Sequence, residues 1–571
     1  MTAAEKLTPT PQEKLTAIVE RVKEGSRAFV KLSLDERIRL CNEMRRGFHE
    51  IADASVIAAC RAKGIDPESP VAGEEWLAGP MVTIRNLRLL SESLEQIKRY
   101  GAPRLEKQWI SKLPDGRLSV QVFPFNKLEG MLLAGHTAHV HMEAGVTERD
   151  LRERQALFYK KPHEGRLCLV LGAGNVNAIP PTDVIHKMFV EGTVCVLKMN
   201  PVNEYLGPFI ERAFRTAIDR GFLAVVYGGA EVGKTLVEHP LVDEIHITGS
   251  DKTHDLMVWG PPGAEREARM RENRPLLQKA ITSELGNVTP VIVVPGPWTD
   301  AELQFQADNI AGMVTNNASF NCNAAKLLTV PRGWDKREKL LSNIERSLGK
   351  GAVRRAYYPG AEDRWKQFTE GRPGLKLVGP MKEGHLPWAI IPDVDPRQVE
   401  DRVFQQEPWC AVLSETRLGG DDPGAFVREA VKFVNEKVWG TLAVTLVVHD
   451  RTMKDPVFGP QVEEAIRALR YGSVVVNTWA GGVFALGVTP WGGHPSSTLQ
   501  NIQSGRGWVH NTFMLEGIEK CVLRAPHKVS PVHPWFPGHR SVHQLAKRLV
   551  EFEMDPGWMK IPGIATAALR A

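Results

Sequence analysis

The stretch from residue 166 to residue 250 alternates between short apolar runs and amphipathic segments, and this alternation limits the possible folds more than any other feature of the chain. Four runs rich in Val, Leu and Ile predict strands: RLCLVLG, TVCVLKM, LAVVYGG and DEIHITGS. The segments between them predict helices, the last of which is short and extends from Glu231 to Glu238. Strands joined by helices and Gly turns form a parallel sheet. A nucleotide site is therefore expected at the carboxyl ends of these strands.

A second stretch of the same kind predicts a second lobe. It begins at VTPVIVV (288–294), continues through the helix TDAELQFQADNIAGMV and extends to about residue 490. Because 571 residues exceed the size at which a single core stops growing, two lobes are expected. The predicted fold class is α/β, with two Rossmann-like αβ lobes and a small additional β element.

The flanking regions differ from these two lobes. The first hundred residues predict helices, and the clearest of them begins with a capping box at Ser33 and Glu36. Residues 116–142 alternate between apolar and polar and are interrupted by Gly, which indicates strands of an arm or a bridging sheet. From Ala525 onward the sequence is rich in Pro, His and aromatic residues, and one helix, SVHQLAKRLVEFEM, follows.

Charge and hydropathy argue against several classes of protein. The chain carries 72 Lys and Arg against 67 Asp and Glu, a formal net charge of +5 without long basic runs. This balance does not indicate nucleic acid or an anionic membrane as a partner. No apolar run approaches the ~20 residues that cross a bilayer, and the first fifteen residues lack the pattern of a targeting peptide. We therefore expect a cytoplasmic protein.

The cysteines indicate free thiols. Seven Cys without C-x-x-C pairs match neither a disulfide framework nor a structural zinc site. Cys168 and Cys195 lie in apolar strand-like runs, where cysteine usually serves as a small core residue. Cys322 differs from them because it lies among small and amide residues, in NASFNCNAAK, and it is the thiol expected to be accessible.

The turn Gly172-Ala-Gly174-Asn175 follows a strand and precedes a helix, as the phosphate-binding turn of a dinucleotide fold does. The third glycine of that fingerprint is missing. Lys198 ends the next strand, where such a fold usually has a ribose-binding acid. By itself this turn is better explained as a plain strand-to-helix connection than as a nucleotide site.

Read together with later segments, this turn belongs to an ordered series of motifs. After Asn175 and Lys198 the series consists of Gly228-Gly-Ala-Glu-Val-Gly233 with His239-Pro-Leu-Val-Asp243, Ile247-Thr-Gly-Ser250, Glu284-Leu-Gly286, Asn321-Cys322, Gln406-Glu407-Pro-Trp409 and Pro490-Trp-Gly-Gly493. In order and separation it resembles the aldehyde dehydrogenase superfamily, whose pattern runs through a W-N-F-P-like turn, a strand-end Lys, F-T-G-S, E-L-G-G, a nucleophilic Cys, E-E-x-F-G-P and P-F-G-G. The resemblance covers about residues 10–525.

The resemblance implies a division of the chain into regions. Residues 1–115 and 150–283 would form a dinucleotide-binding domain, and 284–490 a catalytic domain that carries the nucleophilic Cys. Residues 116–149 and 491–525 would supply bridging strands of a homodimer or homotetramer. Residues 526–571 would be a C-terminal extension, and an insertion near 259–275 would be particular to this chain.

The resemblance also implies a catalytic group consisting of Cys322, Glu284 and Asn175. A thiolate is well suited to attack an aldehyde carbonyl and to leave later, so Cys322 would carry the substrate as a thiohemiacetal and then as a thioester. The Asn175 amide and the backbone N–H of Cys322 would form an oxyanion hole, and Glu284 would activate water. The alternatives are a turn residue for Asn175 and a solvated or salt-bridged carboxylate for Glu284.

The cofactor implied by the resemblance is NAD or NADP. Lys198 would contact the adenosine ribose, Glu407 the nicotinamide ribose, and Trp409 would pack at the nicotinamide end. The remaining predicted cofactor residues lie at turns or beside the base, and they are Gly229, Gly233, Gly249, Ser250 and Leu285. Small residues allow the backbone to approach a phosphate, and a helix N-terminus favours its charge.

Departures from the family pattern limit what can be transferred. Pro201 stands where NAD-preferring members usually have a Glu for the ribose 2′-hydroxyl, and without that carboxylate a 2′-phosphate is not repelled. NADP is therefore at least as plausible as NAD. The family's E-L-G-G-K is Glu284-Leu-Gly-Asn-Val here, and E-E-x-F-G-P is Gln406-Glu-Pro-Trp-Cys-Ala411. These changes indicate a divergent branch.

Three histidines near residue 140 invite a metal interpretation. His139 and His141 would share one face of a strand, with His136 nearby. No Cys or further His completes a recognisable ligand set, so an exposed, partly titrating strand is the simpler interpretation and no metal site is predicted.

The function predicted from the sequence is NAD(P)-dependent oxidation of an aldehyde to a carboxylic acid. One alternative is a CoA-acylating aldehyde dehydrogenase or acyl-CoA reductase, although retention of Glu284 favours water over CoA as the acceptor. A second alternative is a catalytically degenerate homologue that serves as a scaffold. The predicted partner is a small aldehyde, whose pocket would involve Trp479 and Phe484, and the substrate itself is not identified by the sequence.

Overall fold

The structure is a computed structural model, and it describes residues 7–420 and 422–570. Its strands are, in chain order, β1 (Ile110–Lys112), β2 (Leu118–Phe123), β3 (Thr137–Met142), β4 (Leu167–Leu171), β5 (Val194–Lys198), β6 (Leu223–Val226), β7 (Glu244–Gly249), β8 (Ala280–Leu285), β9 (Thr289–Val293), β10 (Ala325–Pro331), β11 (Lys376–Val378), β12 (Trp388–Val394), β13 (Val412–Leu418), β14 (Ala443–Val447), β15 (Ser473–Val476), β16 (Pro490–Trp491), β17 (Gly505–Arg506), β18 (Val509–His510) and β19 (Ile518–Arg524).

The α-helices alternate with these strands and also form both ends of the described chain. They are α1 (Gln12–Phe29), α2 (Leu34–Glu50), α3 (Ala52–Lys63), α4 (Gly73–Trp76), α5 (Val82–Tyr100), α6 (Lys127–Leu132), α7 (Glu148–Arg154), α8 (Ile179–Phe189), α9 (Gly207–Ala213), α10 (Arg215–Asp219), α11 (Ala230–Glu238), α12 (Asp251–Trp259), α13 (Ala264–Arg271), α14 (Asp300–Thr315), α15 (Arg337–Lys350), α16 (Ala361–Thr369), α17 (Arg402–Gln405), α18 (Pro423–Lys437), α19 (Asp450–Lys454), α20 (Phe458–Ala468), α21 (Gly481–Leu486), α22 (Val542–Met554) and α23 (Ile561–Leu569).

The N-terminal helices begin and pack as their sequence predicts. Ser33 caps α2 by accepting a hydrogen bond from the Glu36 backbone N–H, and Glu36 in turn accepts from the Ser33 backbone N–H at 2.9 Å. The apolar stripe of α2, which includes Cys41, Met44 and Phe48, is buried in the same core as β4 and β5. The predicted capping box and helix are therefore confirmed.

The first lobe contains a six-stranded sheet with the order β17-β8-β7-β4-β5-β6. The strands from β8 to β6 run parallel, and β17 joins β8 antiparallel. Chain order reverses between β4 and β7, because β5 and β6 extend the sheet to one side while β7 and β8 extend it to the other. Ligand sites in open parallel sheets lie at the carboxyl ends of the strands beside such a reversal.

The second lobe contains an eleven-stranded sheet with the order β1-β2-β3-β19-β15-β14-β9-β10-β13-β12-β11. Its strands from β19 to β12 run parallel, with antiparallel strands at both edges. The link between β8 and β9 is only residues 286–288, so the two sheets meet closely at this point. The prediction of an α/β fold with two αβ lobes is confirmed.

The expected bridging strands extend the large sheet. β1, β2 and β3 pair in sequence, and β3 pairs antiparallel with β19, so this element continues the sheet of the second lobe. The strands between 490 and 525 are divided among three sheets: β16 pairs with β18, β17 with β8, and β19 with β15. The division into regions and the role of these strands in an oligomer remain predictions.

The predicted C-terminal helix is α22, and it packs against α4 and α5. A Cβ on Gly73 of α4 would lie 2.7 Å from the His543 backbone nitrogen, so the two helices approach too closely for any larger residue there. No helix among residues 7–420 and 422–570 has both the length and the apolar content needed to cross a membrane.

Buried ion pairs fasten α22 to the rest of the fold. Arg85 and Arg88 of α5 both bind Glu553 of α22 and Glu129 of α6, with N–O distances of 2.6–2.8 Å in the four pairs. All four side chains are at most 6% exposed. Since buried charges are tolerated only when they are paired, removing one partner leaves the others uncompensated.

Replacing Glu553 with Leu is expected to lower the free energy of unfolding by about 3–5 kcal/mol, because two buried guanidinium groups lose a carboxylate. Urea unfolding measures the change. The control is Asp219→Ala, which breaks the exposed pair with Arg215 and should cost less than about 1 kcal/mol. Equal losses for the two variants would contradict the structural role of the buried network.

Candidate active site

One cavity of about 1170 Å³ extends between the two lobes and brings the predicted site together. All eleven residues that the sequence predicts for catalysis and cofactor binding line it: Cys322, Glu284, Asn175, Lys198, Gly229, Gly233, Gly249, Ser250, Leu285, Glu407 and Trp409. They come from the carboxyl ends of β4, β5, β7 and β8 and the start of α11 in one lobe, and from loops of the other. The cavity therefore lies at the reversal of strand order in the six-stranded sheet.

The outer part of the cavity offers a surface for phosphate. Gly229 precedes α11, and no side chain caps the N-terminus of this helix, so its first N–H groups are free to bind an anion. A Cβ built on Gly229 or Gly233 would meet no atom within 4 Å, so open space lies in front of both residues. Lys198 also lines this part, and burial lowers its pKa. The length, the free helix N-terminus and the lysine fit a dinucleotide.

Position 201, where a carboxylate would face the ribose 2′ substituent of the dinucleotide, is occupied by a proline. Pro201 is exposed just after Lys198, and the neighbouring Asn200 lines the cavity. The insertion near 259–275 contains α13, and its Pro261 lies at the rim of the same cavity.

The loop before β10 carries Cys322 and has an unusual backbone. Asn317, Ala318 and Ser319 all have left-handed conformations, with φ of 51°, 54° and 71°. Such conformations cost energy for residues other than Gly and persist only where the surroundings hold them. Lys326 is one of the residues that hold the loop, because its Nζ donates to the Ser319 carbonyl oxygen at 2.9 Å.

Cys322 is the half-buried thiol of the chain, whereas the other six cysteines, all within the described residues, are buried. All seven are free, and the core positions predicted for Cys168 and Cys195 are confirmed. The Thr289 hydroxyl at the start of β9 donates to the Cys322 carbonyl oxygen at 3.1 Å, which fixes the loop to the large sheet. Burial raises the pKa of the Cys322 thiol well above its ordinary value, and the Glu284 carboxylate adds to this effect.

Glu284 is a buried carboxylate at the carboxyl end of β8. Neither of its oxygens has a well-aligned hydrogen bond within the described part of the chain. Burial raises the pKa of Glu284 to about 7, against the lowering effect of the Cys322 thiol and the Trp491 indole beside it. A carboxyl with such a pKa exchanges protons readily near neutral pH.

Asn175 lies in the turn after β4, and its side chain reaches the loop that carries Cys322. Its amide Nδ2 donates to the Phe320 carbonyl oxygen at 2.9 Å. One N–H of the amide makes this bond and the second remains as a donor, and Asn175 and Cys322 both line the cavity.

Glu407 and Trp409 line the same cavity as the Cys322 thiol. Glu407 lies directly on Gly286, where a Cβ would come within 2.2 Å of its Oε2, so a larger residue at position 286 would displace the carboxylate. Burial raises the pKa of Glu407, and the Lys326 ammonium opposes the shift. Trp409 contacts the ring of Tyr358 at a centroid distance of 5.4 Å, and both rings line the cavity.

The two residues predicted for the substrate pocket, Trp479 and Phe484, lie outside the cavity lining. The Trp479 indole N–H donates to the Asn323 carbonyl oxygen at 2.9 Å, directly after Cys322 in the chain. Phe484 packs against the same apolar cluster as Cys322.

The expectation of an exposed, titrating histidine strand is wrong. His136 and His141 are buried, and His139 is half-buried, because β3 is enclosed between β2 and β19. Burial lowers the pKa of His141 to about 3 and also lowers the pKa of the other two. These rings are therefore neutral at physiological pH.

Another group of side chains has the composition of a metal site. Glu302, His449 and His527 bring ligand-type atoms within 4.8 Å of one another. However, Nδ1 of His449 accepts a hydrogen bond from the Arg451 backbone N–H at 3.0 Å, which leaves the proton of the neutral ring on Nε2. This Nε2 faces Glu302 at 3.5 Å, so hydrogen bonding to the carboxylate accounts for the arrangement.

Several residues around the site were not predicted from the sequence. The Tyr357 hydroxyl and the Lys63 ammonium both donate to the Asn175 carbonyl oxygen, at 3.2 Å and 3.0 Å. Trp491 belongs to a motif that the sequence singled out, and its position beside Glu284 could have been anticipated. Lys63 and Tyr357 are distant in sequence from every motif, and no local signal identifies them.

Comparison with known proteins shows similarity to aldehyde dehydrogenases. The model of the aldehyde dehydrogenase family matches residues 128–350. A curated relative, the D-glyceraldehyde dehydrogenase (NADP(+)) of Thermoplasma acidophilum, is 24% identical over 353 residues. That alignment covers 58% of this chain and 64% of the relative, so the chain matches less than two thirds of its length.

Solved structures share the fold over most of the chain. The NADP-dependent glyceraldehyde-3-phosphate dehydrogenase of Bacillus halodurans, complexed with NADP, has a TM-score of 0.60 and 18% identity, with 90% of this chain and 92% of that chain covered. The glyceraldehyde-3-phosphate dehydrogenase of Methanocaldococcus jannaschii, complexed with NADP, has a TM-score of 0.59 and 14% identity, with 92% and 97% covered. An indole-3-acetaldehyde dehydrogenase complexed with NAD+ has a TM-score of 0.57 and 19% identity, with 91% and 90% covered.

The buried state of Glu284 predicts a pH-dependent stability. Its folded pKa of about 7 lies above the ordinary 4.5, so its protonation favours the folded state, and this contribution is lost as pH rises from 4.5 to 7. Glu284→Gln should therefore match the parent near pH 4.5 and exceed its free energy of unfolding by about 2–3 kcal/mol at pH 8. Denaturant unfolding at both pH values, with the exposed Glu148→Gln as control, measures this. A difference that is independent of pH would contradict the prediction.

Proposed function

Because the chain belongs to the aldehyde dehydrogenase superfamily, we propose that it oxidises an aldehyde to a carboxylic acid with NAD+ or NADP+, through a thioester on Cys322. The observation that carries the proposal is that one cavity is lined by Cys322, Glu284 and Asn175 and also by Lys198 and the uncapped N-terminus of α11. A nucleophile, a base and a neutral donor are the groups that this oxidation requires.

In this proposal Cys322 is the nucleophile and Glu284 the base, and burial makes the protonation of one depend on the charge of the other. The Cys322 thiol holds its proton because burial and the nearby carboxylate disfavour a second negative charge. Glu284 is the adjacent base that can take this proton, and the thiolate then attacks the aldehyde carbon to form a C–S bond. The former carbonyl oxygen becomes an alkoxide, and the Asn175 amide and the Cys322 backbone N–H are the donors that would stabilise it.

The dinucleotide, when bound, supplies the hydride acceptor for this chemistry. Lys198 and the N-terminus of α11 would hold its adenosine and phosphate parts, while Glu407 would bind a ribose hydroxyl near the thiol. The absence of a side chain at Gly286 lets the Glu407 carboxylate lie against the backbone there.

Release of the acid uses Glu284 a second time. Glu284 first releases the thiol proton to solvent and then takes a proton from the water that attacks the thioester carbon. The C–S bond breaks, and that proton passes from Glu284 to the leaving thiolate to return the thiol. The pKa of about 7 suits a group that must both accept and return a proton near neutral pH. This double use favours water over CoA as the acceptor.

A panel of aldehydes with NAD+ and NADP+, with and without CoA, tests the proposal. Cys322→Ala is expected to lower the rate of NAD(P)H formation by at least about a thousandfold, because no other group in the cavity can form the thioester. Cys521→Ala is the matched control, since Cys521 is buried in a strand of the large sheet away from the cavity. A product that is acyl-CoA would indicate the acylating reaction, and no turnover with any aldehyde would contradict the proposal.

Pro201→Glu tests the choice of dinucleotide. A carboxylate at this position should raise the KM for NADP+ by about tenfold or more, through repulsion of the 2′-phosphate, and change that for NAD+ much less. Steady-state kinetics with both dinucleotides measure the two KM values. The control is Glu148→Gln, which changes an exposed residue outside the cavity lining. A parent protein that already rejects NADP+ would contradict the interpretation of Pro201.

A further inference from the structure

Lys63 and Glu75 form a buried ion pair outside the cavity lining. Lys63 ends α3 and Glu75 belongs to α4, and their side chains are 4% and 3% exposed. Lys63 Nζ shares one N–H donor between the two carboxylate oxygens of Glu75, at 2.9 Å and 3.0 Å. The proposed reaction uses neither residue directly.

The same ammonium connects the two loops that carry the site. Lys63 Nζ donates to the Asn175 carbonyl oxygen at 3.0 Å and to the Asn317 side-chain oxygen at 3.1 Å. The Asn317 amide nitrogen donates to that same Asn175 carbonyl at 3.0 Å and to the Phe320 carbonyl at 3.1 Å. One lysine thus joins the turn after β4 to the loop that leads to Cys322.

Helix α4 also binds both the turn after β4 and the loop that leads to Cys322. The Asn177 amide, in the turn after β4, donates to Glu75 Oε2 at 2.8 Å. The preceding residue of α4, Glu74, accepts from the Asn317 backbone N–H at 2.9 Å. Two adjacent carboxylates of one short helix therefore each bind one of the two loops.

The energetics of buried ion pairs indicate that Lys63 and Glu75 hold the loops in position and add little to the stability of the fold. A buried ion pair is often no more stabilising than apolar side chains of similar size, because both charges lose their hydration. The loop it holds contains three successive left-handed residues, which would relax if they were released. A strained loop at a site persists only where its surroundings determine its conformation.

We propose that Lys63 and Glu75 are positioning residues for the reaction. By fixing the Asn175 carbonyl and the Asn317 side chain to each other, they set the distance between the Asn175 amide and the backbone N–H of Cys322. Both donors then face one point, where the alkoxide forms. This inference rests on the proposed function, since it assigns the pair a part in that same oxyanion hole.

The test compares Lys63→Met with the double variant Lys63→Met/Glu75→Gln. The single variant leaves an unpaired buried carboxylate and should lose both thermal stability and kcat. The double variant removes both charges, so its thermal midpoint should return toward that of the parent while kcat stays at least about tenfold lower. The KM for the dinucleotide should stay within about twofold, because Lys198 and α11 are untouched. The control is Lys366→Met/Glu362→Gln, which removes an exposed pair.

Hydrogen exchange gives a readout that does not depend on turnover. In the double variant, amides of residues 317–322 should exchange at least about tenfold faster than in the parent, with the strands of both sheets unchanged. Recovery of kcat together with stability in the double variant would overturn the proposal, as would unchanged exchange in this loop. If the parent oxidises no aldehyde but the loop still loosens selectively, the proposed function fails while the positioning of the loop by Lys63 stands.

Discussion

The contact between the two sheets is the constraint on which the site depends. Glu284 ends a strand of the six-stranded sheet, and Cys322 precedes a strand of the eleven-stranded sheet. The chain crosses from one sheet to the other in residues 286–288, and Thr289 then binds the Cys322 carbonyl. Any sliding of one lobe over the other would separate Glu284 from Cys322. The short crossing of residues 286–288 opposes such sliding.

Two kinds of buried charge coexist around this contact. Glu284 has no well-aligned partner, and burial raises its pKa, so the fold holds this carboxyl in an unfavourable environment. Lys63 and Glu75 are equally buried but each bonds the other and the surrounding loops. The first arrangement keeps a proton exchangeable near neutral pH, and the second keeps a backbone fixed. Reactive and positioning groups are thus distinguished by whether their hydrogen bonds are satisfied.

The sequence predicts the parts of this structure that depend on local pattern. The α/β alternation predicts both lobes, and the order of the motifs predicts Asn175, Lys198 and Cys322 as members of one site, because each follows or precedes a strand at a recognisable turn. The burial of His139 could not be predicted, since it depends on the distant β19 pairing with β3. Lys63 is missed for the same reason: at the end of an ordinary helix a lysine is expected to be solvated, and only the folded chain encloses it.

The close packing of α22 on α4 has a consequence for the order in which the molecule is completed during its synthesis. Gly73 touches the backbone of residues 542 and 543, so the helix that carries Glu75 is fully supported only when α22 has docked. Both sheets and every residue that lines the cavity precede α22 in the chain and leave the ribosome before it. A nascent chain whose lobes fold before α22 emerges therefore still lacks the full support of the helix whose Glu74 binds the Asn317 backbone N–H.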